Sequence, residues 1–124
     1  MIFRSLASSS KGNAYIVTDG ETTILLECGL PYKKLEKLSG HTLTSIAACF
    51  ITHEHKDHSQ AAGQLIRHGV SVYMSYKTAV SLDLPDAEII VPGEPVCIGA
   101  FLVMAFLVVH DAAEPVGYLI DDTR

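Results

Sequence analysis

No dense block of lysine or arginine occurs in this 124-residue chain, and its formal net charge is −5. Long-range attraction to a nucleic-acid backbone or an anionic membrane is therefore not encoded in its overall balance. A cleft lined by bound cations would still take a phosphate locally, because such ions dominate the field around them. The longest apolar run, Phe101 to Val109, is nine residues, too short to span a bilayer. No signal-peptide core follows Arg4, where Ser5-Leu6-Ala7-Ser8 stands instead. The three cysteines, Cys28, Cys49 and Cys97, lie in or beside apolar runs and show no C-x-x-C spacing. They read as buried, reduced thiols, and predict a cytoplasmic protein with no membrane association. Repeats, low-complexity segments and linkers are also missing. Hydrophobic residues make up 48% of the chain, which excludes disorder, and the length suits a single domain over residues 1–124.

What the chain has in plenty is metal-binding side chains in one place. His53, His55, Asp57 and His58 fall within six positions of Ile51-Thr52-His53-Glu54-His55-Lys56-Asp57-His58. Imidazole nitrogens and carboxylate oxygens are ligands that zinc, iron and manganese accept. An apolar run of strand length, Ile46 to Thr52, precedes them. A run with a capping residue at Ser59, apolar residues at helical spacing and a stop at Gly69 follows. The spacing therefore places the ligands on a loop between a buried strand and a helix. His53 and His55, two apart in extended chain, can turn their rings to one ion. Asp57 and His58, where the chain enters the helix, can face a second. Glu54 and Lys56 alternate outward and need not be ligands.

Elsewhere the pattern is mixed. Met1–Leu6 and Ala14–Thr18 read as strands around a Ser8–Asn13 loop. That loop is either a plain connector or a set of N–H and hydroxyl groups facing an anion. Asp19-Gly20 signals a hairpin returning as Thr22–Glu27. Pro31–Leu38 reads as a short amphipathic helix, and Val70–Met74 as a strand completing a parallel βαβ unit. Tyr76–Leu82 predicts a helix, Glu88–Val91 an edge strand, and Val96–Ile98 a lead into Phe101–Val109, a strand buried on both faces. His41 reads as a surface residue, and His68 as a partner of its helix C-terminus. Gly117–Ile120 is the last strand, with Asp121-Asp122 as a turn.

The motif His53-x-His55-x-Asp57-His58 after Thr52 resembles the signature of the metallo-β-lactamase superfamily. Leu6–Tyr15, Leu25–Leu30 and His110–Tyr118 resemble its YycJ/WalJ branch. The resemblance implies an α/β fold, a metallo-β-lactamase-like αββα sandwich. It covers the N-terminal half of that domain only, so an incomplete half-domain with a mixed sheet and helices on one face is expected. It implies that His110 joins His53 and His55 as a metal ligand, that Asp57 and His58 serve a second ion, and that Asp57 orients the nucleophile or manages its proton. Glu27 stands where the family usually has an Asp that supports the ligands from behind. The longer side chain must place its carboxylate differently.

The family pattern continues with a bridging Asp and a later His, and neither Asp121 nor Asp122 is equated with the former. One or two ions are expected, Zn2+ with Mn2+ or Fe as alternatives, the second held more weakly. The resemblance implies a metal-dependent hydrolase, a phosphodiesterase or nuclease working through a metal-activated water on nucleic acid or another phosphodiester. Two alternatives stand beside it: a metal-binding half-domain without turnover, and a thioester or lactam hydrolase. An uncovered sheet face predicts a homo-oligomer or a missing C-terminal half.

Overall fold

Two turn signals fold the first 26 residues of the chain into an antiparallel meander. The computed structural model describes residues 1–123. In it, β1 (Ile2–Ser9), β2 (Gly12–Thr18) and β3 (Thr23–Leu26) pair in succession. At the second turn, Oδ1 of Asp19 accepts the N–H groups of Glu21 and Thr22 at 2.9 and 2.7 Å. The first turn is tighter than the composition suggests. Ser8 and Ser9 are strand residues opposite Asn13 and Gly12, so only Ser10 and Lys11 form the tip.

α1 (Tyr32–Leu38) follows Pro31 and turns Tyr32 and Leu35 into the core. A single 3-10 turn, Leu43–Ser45, leads into β4 (Ala48–Phe50), buried at all three positions. Then come α2 (Lys56–Ser59), α3 (Ala62–Arg67), β5 (Val72–Met74), α4 (Tyr76–Leu82) and β6 (Glu88–Ile89). β7 (Val96–Ile98), β8 (Phe101–Leu107) and β9 (Val116–Asp122) close the chain. β1 to β6 form one mixed sheet in sequence order, parallel from β3 onward, with β6 at its edge. β7, β8 and β9 form a second, antiparallel sheet.

Alternating side chains build two cores. On one face of the large sheet Leu25, Cys49 and Val72 meet Leu35, Leu65 and Ala79 of the helices. On the other, Val17, Ile24 and Phe50 meet Phe101, Val103 and Ala105 of the small sheet. The layers run helix, sheet, sheet. Each fully buried large apolar side chain contributes about 1.5–3 kcal/mol, so these two interfaces dominate stability. Phe50 anchors the second, stacked on Tyr73 at 4.9 Å and edge-on to Tyr118 at 5.4 Å.

Four expectations need correction. The run Ser59–Gly69 is not one helix capped by Ser59. Ala61 N–H bonds to Cys28 O, which interrupts the helical ladder, and the Ser59 hydroxyl donates back to the Glu54 and His55 carbonyls. Phe101–Val109 is buried on one face only. Leu102 and Met104 are half-buried on the outer side, Phe106 is exposed, and the strand ends at Leu107. Asp121 and Asp122 are the end of β9, not a turn. Cys97 is exposed, while Cys28 and Cys49 are buried; all three are free. The outer side of the small sheet, with Phe106 and with Leu119 at 57% exposure, has no helix over it among the described residues. Among the described residues no helix is long and apolar enough to cross a membrane. The peripheral histidines lie as expected. His41 is exposed, and the His68 ring bonds to the Gln64 carbonyl at 2.7 Å, in the last turn of α3.

Candidate metal centre

The parallel strands β3 and β4 end together, and the chain leaving each of them builds the centre. After β3, Glu27 takes a left-handed backbone, φ 65°, and Glu27 N–H donates to Phe50 O at 2.9 Å. After β4, residues 51–58 form the histidine-bearing loop. That loop lies on Cys28 and Gly29. Cys28 N–H donates to His58 O at 2.9 Å, and a Cβ at Gly29 would stand 1.7 Å from Asp57 O. Only glycine admits so close an approach of two backbones.

A chain of hydrogen bonds fixes His53. Thr52 N–H donates to Glu27 Oε1 at 2.8 Å, and the Thr52 hydroxyl donates to Glu27 Oε2 at 2.7 Å. A carboxylate only accepts, so the single hydroxyl proton is committed to it. The contact between Thr52 Oγ1 and His53 Nδ1, 2.8 Å, therefore has Nδ1–H as donor. The other ring nitrogen, Nε2, then carries a bare lone pair. It is buried and has no hydrogen-bond partner among the described residues. An orphaned buried acceptor held in one tautomer is what a metal ligand looks like before its ion is considered. Burial, reinforced by the neighbouring His58 and His110, pushes the His53 pKa down to about 4, which keeps the lone pair free of a proton at neutral pH.

Three further rings crowd the His53 ring. The centroid of His53 lies 4.2 Å from His58, 4.2 Å from His110 and 4.7 Å from His55; His55 and His110 are 5.2 Å apart. One donor atom each from His53, His55 and His110 lies within 4.8 Å of the others, and the same holds for Glu27, His53 and His58. The first set is three imidazoles from two distant stretches, the donor chemistry of a zinc, iron or manganese site with positions left for water. The residues fit such an ion.

His110 arrives after β8 on residues 108–115, and this loop is pinned at several points. Val116 N–H donates to Thr52 O at 3.0 Å, and Ala113 N–H donates to Glu54 Oε2 at 2.9 Å. At α4, Lys77 N–H donates to Glu114 Oε1 and the Ser75 hydroxyl to Glu114 O.

Asp57 belongs to neither donor set. Its Oδ2 lies 3.3 Å from His58 Nε2. His58 Nδ1 is bonded to Glu27 Oε2, which raises the His58 pKa, helped by the charges of Glu27 and Asp57 and opposed by burial. With Nδ1–H given to Glu27, a neutral His58 presents a lone pair to a carboxylate. A proton or a shared cation resolves that contact. Asn13 holds Asp57 from the hairpin, donating through Nδ2 to Asp57 O at 3.1 Å and lying 3.4 Å from Oδ2. The motif thus drew attention to His53, His55, Asp57, His58, His110 and Glu27 but not to Thr52, Asn13 or Gly29. Thr52 alone carried a signal, a hydroxyl at the strand end beside the first histidine.

Known proteins resemble this chain in sequence and in fold. A sequence family described as the metallo-beta-lactamase superfamily matches residues 10–90. The chain is similar to Exodeoxyribonuclease YycJ of Bacillus anthracis, 33% identical over 127 residues, covering 94% of this chain and 48% of that protein. It is also similar to Exodeoxyribonuclease WalJ of Streptococcus pneumoniae serotype 2, 30% identical over 126 residues, covering 91% and 47%. Among solved structures, the metallo-beta-lactamase fold protein YhfI from Bacillus subtilis superposes with a TM-score of 0.76 at 18% identity, over 97% of this chain and 57% of that one. A metallo-beta-lactamase from Cronobacter sakazakii gives 0.78 at 14% identity, over 96% and 56%. The chain spans about half the length of the curated relatives it matches.

Proposed function

The chain belongs to the metallo-beta-lactamase superfamily, and we propose that it carries the metal-binding half of a metal-dependent phosphodiesterase acting on DNA. The observation that carries this reading is the buried, unpartnered Nε2 of His53, on a ring packed among those of His55, His58 and His110. The DNA substrate is taken from the relatives' names as exodeoxyribonucleases. The acidic balance of the chain lends it no support.

In this reading His53, His55 and His110 hold one divalent ion, zinc with manganese or iron as alternatives. His58 and Asp57 contribute to a second, weaker site. A bound cation would lower the pKa of a coordinated water toward neutrality and polarise the phosphoryl oxygen. The protein's own share is positional. Glu27 and Thr52 hold the His53 tautomer, and Glu27 holds the His58 ring. Asp57, partly exposed and steadied by Asn13, receives the proton of the attacking water at Oδ2. The free thiols suit a cytoplasmic setting.

A second reading is favoured by one observation, the 48% coverage of the curated relative. A half-length chain would bind metal without turnover until a second copy or further polypeptide completes it. The solved β-lactamases share the fold at 14% identity, which lends nothing to a lactam or thioester substrate. Metal analysis after dialysis, with end-labelled DNA and nitrocefin as substrates, tests both readings. Metal retained and DNA shortened, with both lost in His53→Ala, supports the enzyme. Metal retained without turnover supports the half-domain. A wild-type chain that retains no metal overturns both.

A further inference from the structure

Glu54 stands between two of the candidate ligands, His53 and His55, yet its side chain turns away from them. It crosses to the other half of the centre, where Oε2 accepts the Ala113 N–H at 2.9 Å over a separation of 59 residues. Ala113 is three residues beyond His110, in a loop without regular structure. His110 is exposed, so packing does little to hold it. Val108 N–H donates to Pro115 O at 3.1 Å and closes the base of the loop, and the loop's other outside ties are beyond Ala113. Glu114 is bonded to α4, and Val116 N–H to Thr52 O. Next to His110 itself, the Ala112 N–H bonds to the His110 carbonyl at 3.0 Å, which shapes the turn but anchors it to nothing outside. The Glu54 carboxylate is a side-chain bridge between the His53–His55 loop and the His110 loop.

We propose that Glu54 is a positioning residue for the metal centre. By accepting the Ala113 amide it fixes how far His110 stands from His53 and His55, so that the third imidazole is in place before an ion arrives. The inference rests on the metal-centre reading above and extends it to a residue that the ligand motif leaves unassigned. The physical argument concerns pre-organisation. A ligand on a free loop must be ordered when the metal binds, and that entropy is subtracted from affinity. A tether made to the backbone beside the ligand removes part of this penalty in advance. A charge-assisted bond from a carboxylate to an amide is stronger than a neutral one, and here one end is rooted in the same loop as the other two ligands. The Glu54 side chain is only partly buried, so its loss should spare the two hydrophobic cores.

The test uses the purified chain with Co2+ as spectroscopic probe and Zn2+ for affinity, in wild type, Glu54→Ala and Glu54→Gln. Glu54→Ala is expected to bind Zn2+ at least about tenfold more weakly, the usual range for groups that orient ligands. Its Co2+ absorption should shift toward that of a site with one imidazole fewer. In the metal-free protein, the Ala113 amide should exchange faster with solvent, while amides of β4 and β8 stay protected. Glu54→Gln keeps an acceptor oxygen at the same reach and should restore most of the affinity and the spectrum. Wild-type affinity and spectrum in Glu54→Ala would overturn this inference alone, leaving the metal centre standing. So would a Glu54→Gln variant as weak as the alanine variant. A wild-type chain that binds neither ion would overturn the metal-centre reading and this one with it.

Discussion

Gly29→Ala isolates the contact on which the histidine loop rests. The added Cβ would stand 1.7 Å from Asp57 O, 2.0 Å from Asp57 C and 2.6 Å from His58 N. All three are backbone atoms, so no side chain can swing aside. To reach even a tight contact of 3.0 Å, the two segments must part by about 1.3 Å. That shift breaks the 2.9 Å bond from Cys28 N–H to His58 O, and it moves Asp57 and His58 relative to Glu27. Overpacking against unyielding atoms costs about 1–3 kcal/mol, and a lost buried hydrogen bond brings the expected total to the upper end of that range. For a chain of this size the metal-free melting temperature should fall by roughly 10 °C. Metal affinity, read by chelator competition, should fall about 10- to 100-fold, as for other losses of ligand support. Gly63→Ala is the matched control. Its Cβ would meet the guanidinium end of Arg67 at 3.4 Å and Leu84 Cδ2 at 3.6 Å, both side-chain ends, and it lies within α3. Alanine there should leave stability unchanged or raise it by up to about 1 kcal/mol. A Gly29→Ala variant that melts with the wild type and binds zinc equally would refute the account of how the loop is seated.

Thr52→Val should orphan His53 Nδ1–H and remove one donor from Glu27, at a cost of about 1–3 kcal/mol by chemical denaturation, with zinc binding at least about tenfold weaker; Thr52→Ser should recover most of both. His110→Ala should weaken zinc binding while leaving the unfolding free energy of the metal-free protein within about 0.5 kcal/mol of wild type, because the ring is exposed. Tyr118→Phe should cost about 1–2 kcal/mol by urea titration, since it strips the buried Ile51 carbonyl of its hydroxyl partner. Light scattering should show self-association at high concentration through the outer side of the small sheet, reduced when Phe106 and Leu119 are both replaced by Lys; a wild type that stays monomeric throughout would count against it.

The parts legible in the sequence were those whose cause is local. Tyr76–Leu82 and Val96–Ile98 fall on the expected residues because their turn and capping signals lie next to them. The βαβ unit follows from one buried run, one helical stretch and another run. Phe101–Leu107 misleads because every residue in it is apolar. Its period of two is real in the structure but invisible in a run with no polar residues to mark the outer side. The split of α2 from α3 is equally unreadable, since the cause is the Cys28 carbonyl arriving from the distant segment after β3. The candidate site divides the same way. Its ligand types are dense and adjacent, so they stand out. Their supports span 44 residues from Asn13 to Asp57 and 59 from Glu54 to Ala113, and no local pattern encodes such pairs.

Glu27 shows why a support cannot be judged by residue type alone. Its longer side chain stands where the resembled family usually has Asp, and in this fold the extra methylene is used. The carboxylate meets Thr52 N–H, the Thr52 hydroxyl and His58 Nδ1 together. It does so from a left-handed backbone, a conformation that costs a residue of this type on the order of 1 kcal/mol. Glu27→Asp therefore sets two effects against each other. Aspartate tolerates positive φ better, which relieves strain. Its carboxylate falls short by about one carbon–carbon bond, roughly 1.5 Å, and cannot keep all three partners. The expected result is a split. Melting of the metal-free chain should change by no more than a few degrees, while zinc affinity should drop severalfold as the His58 ring loses its anchor. If affinity held and stability rose, reach would not be what glutamate supplies at this position. The backbone would then have to shift to bring the shorter carboxylate to the same partners.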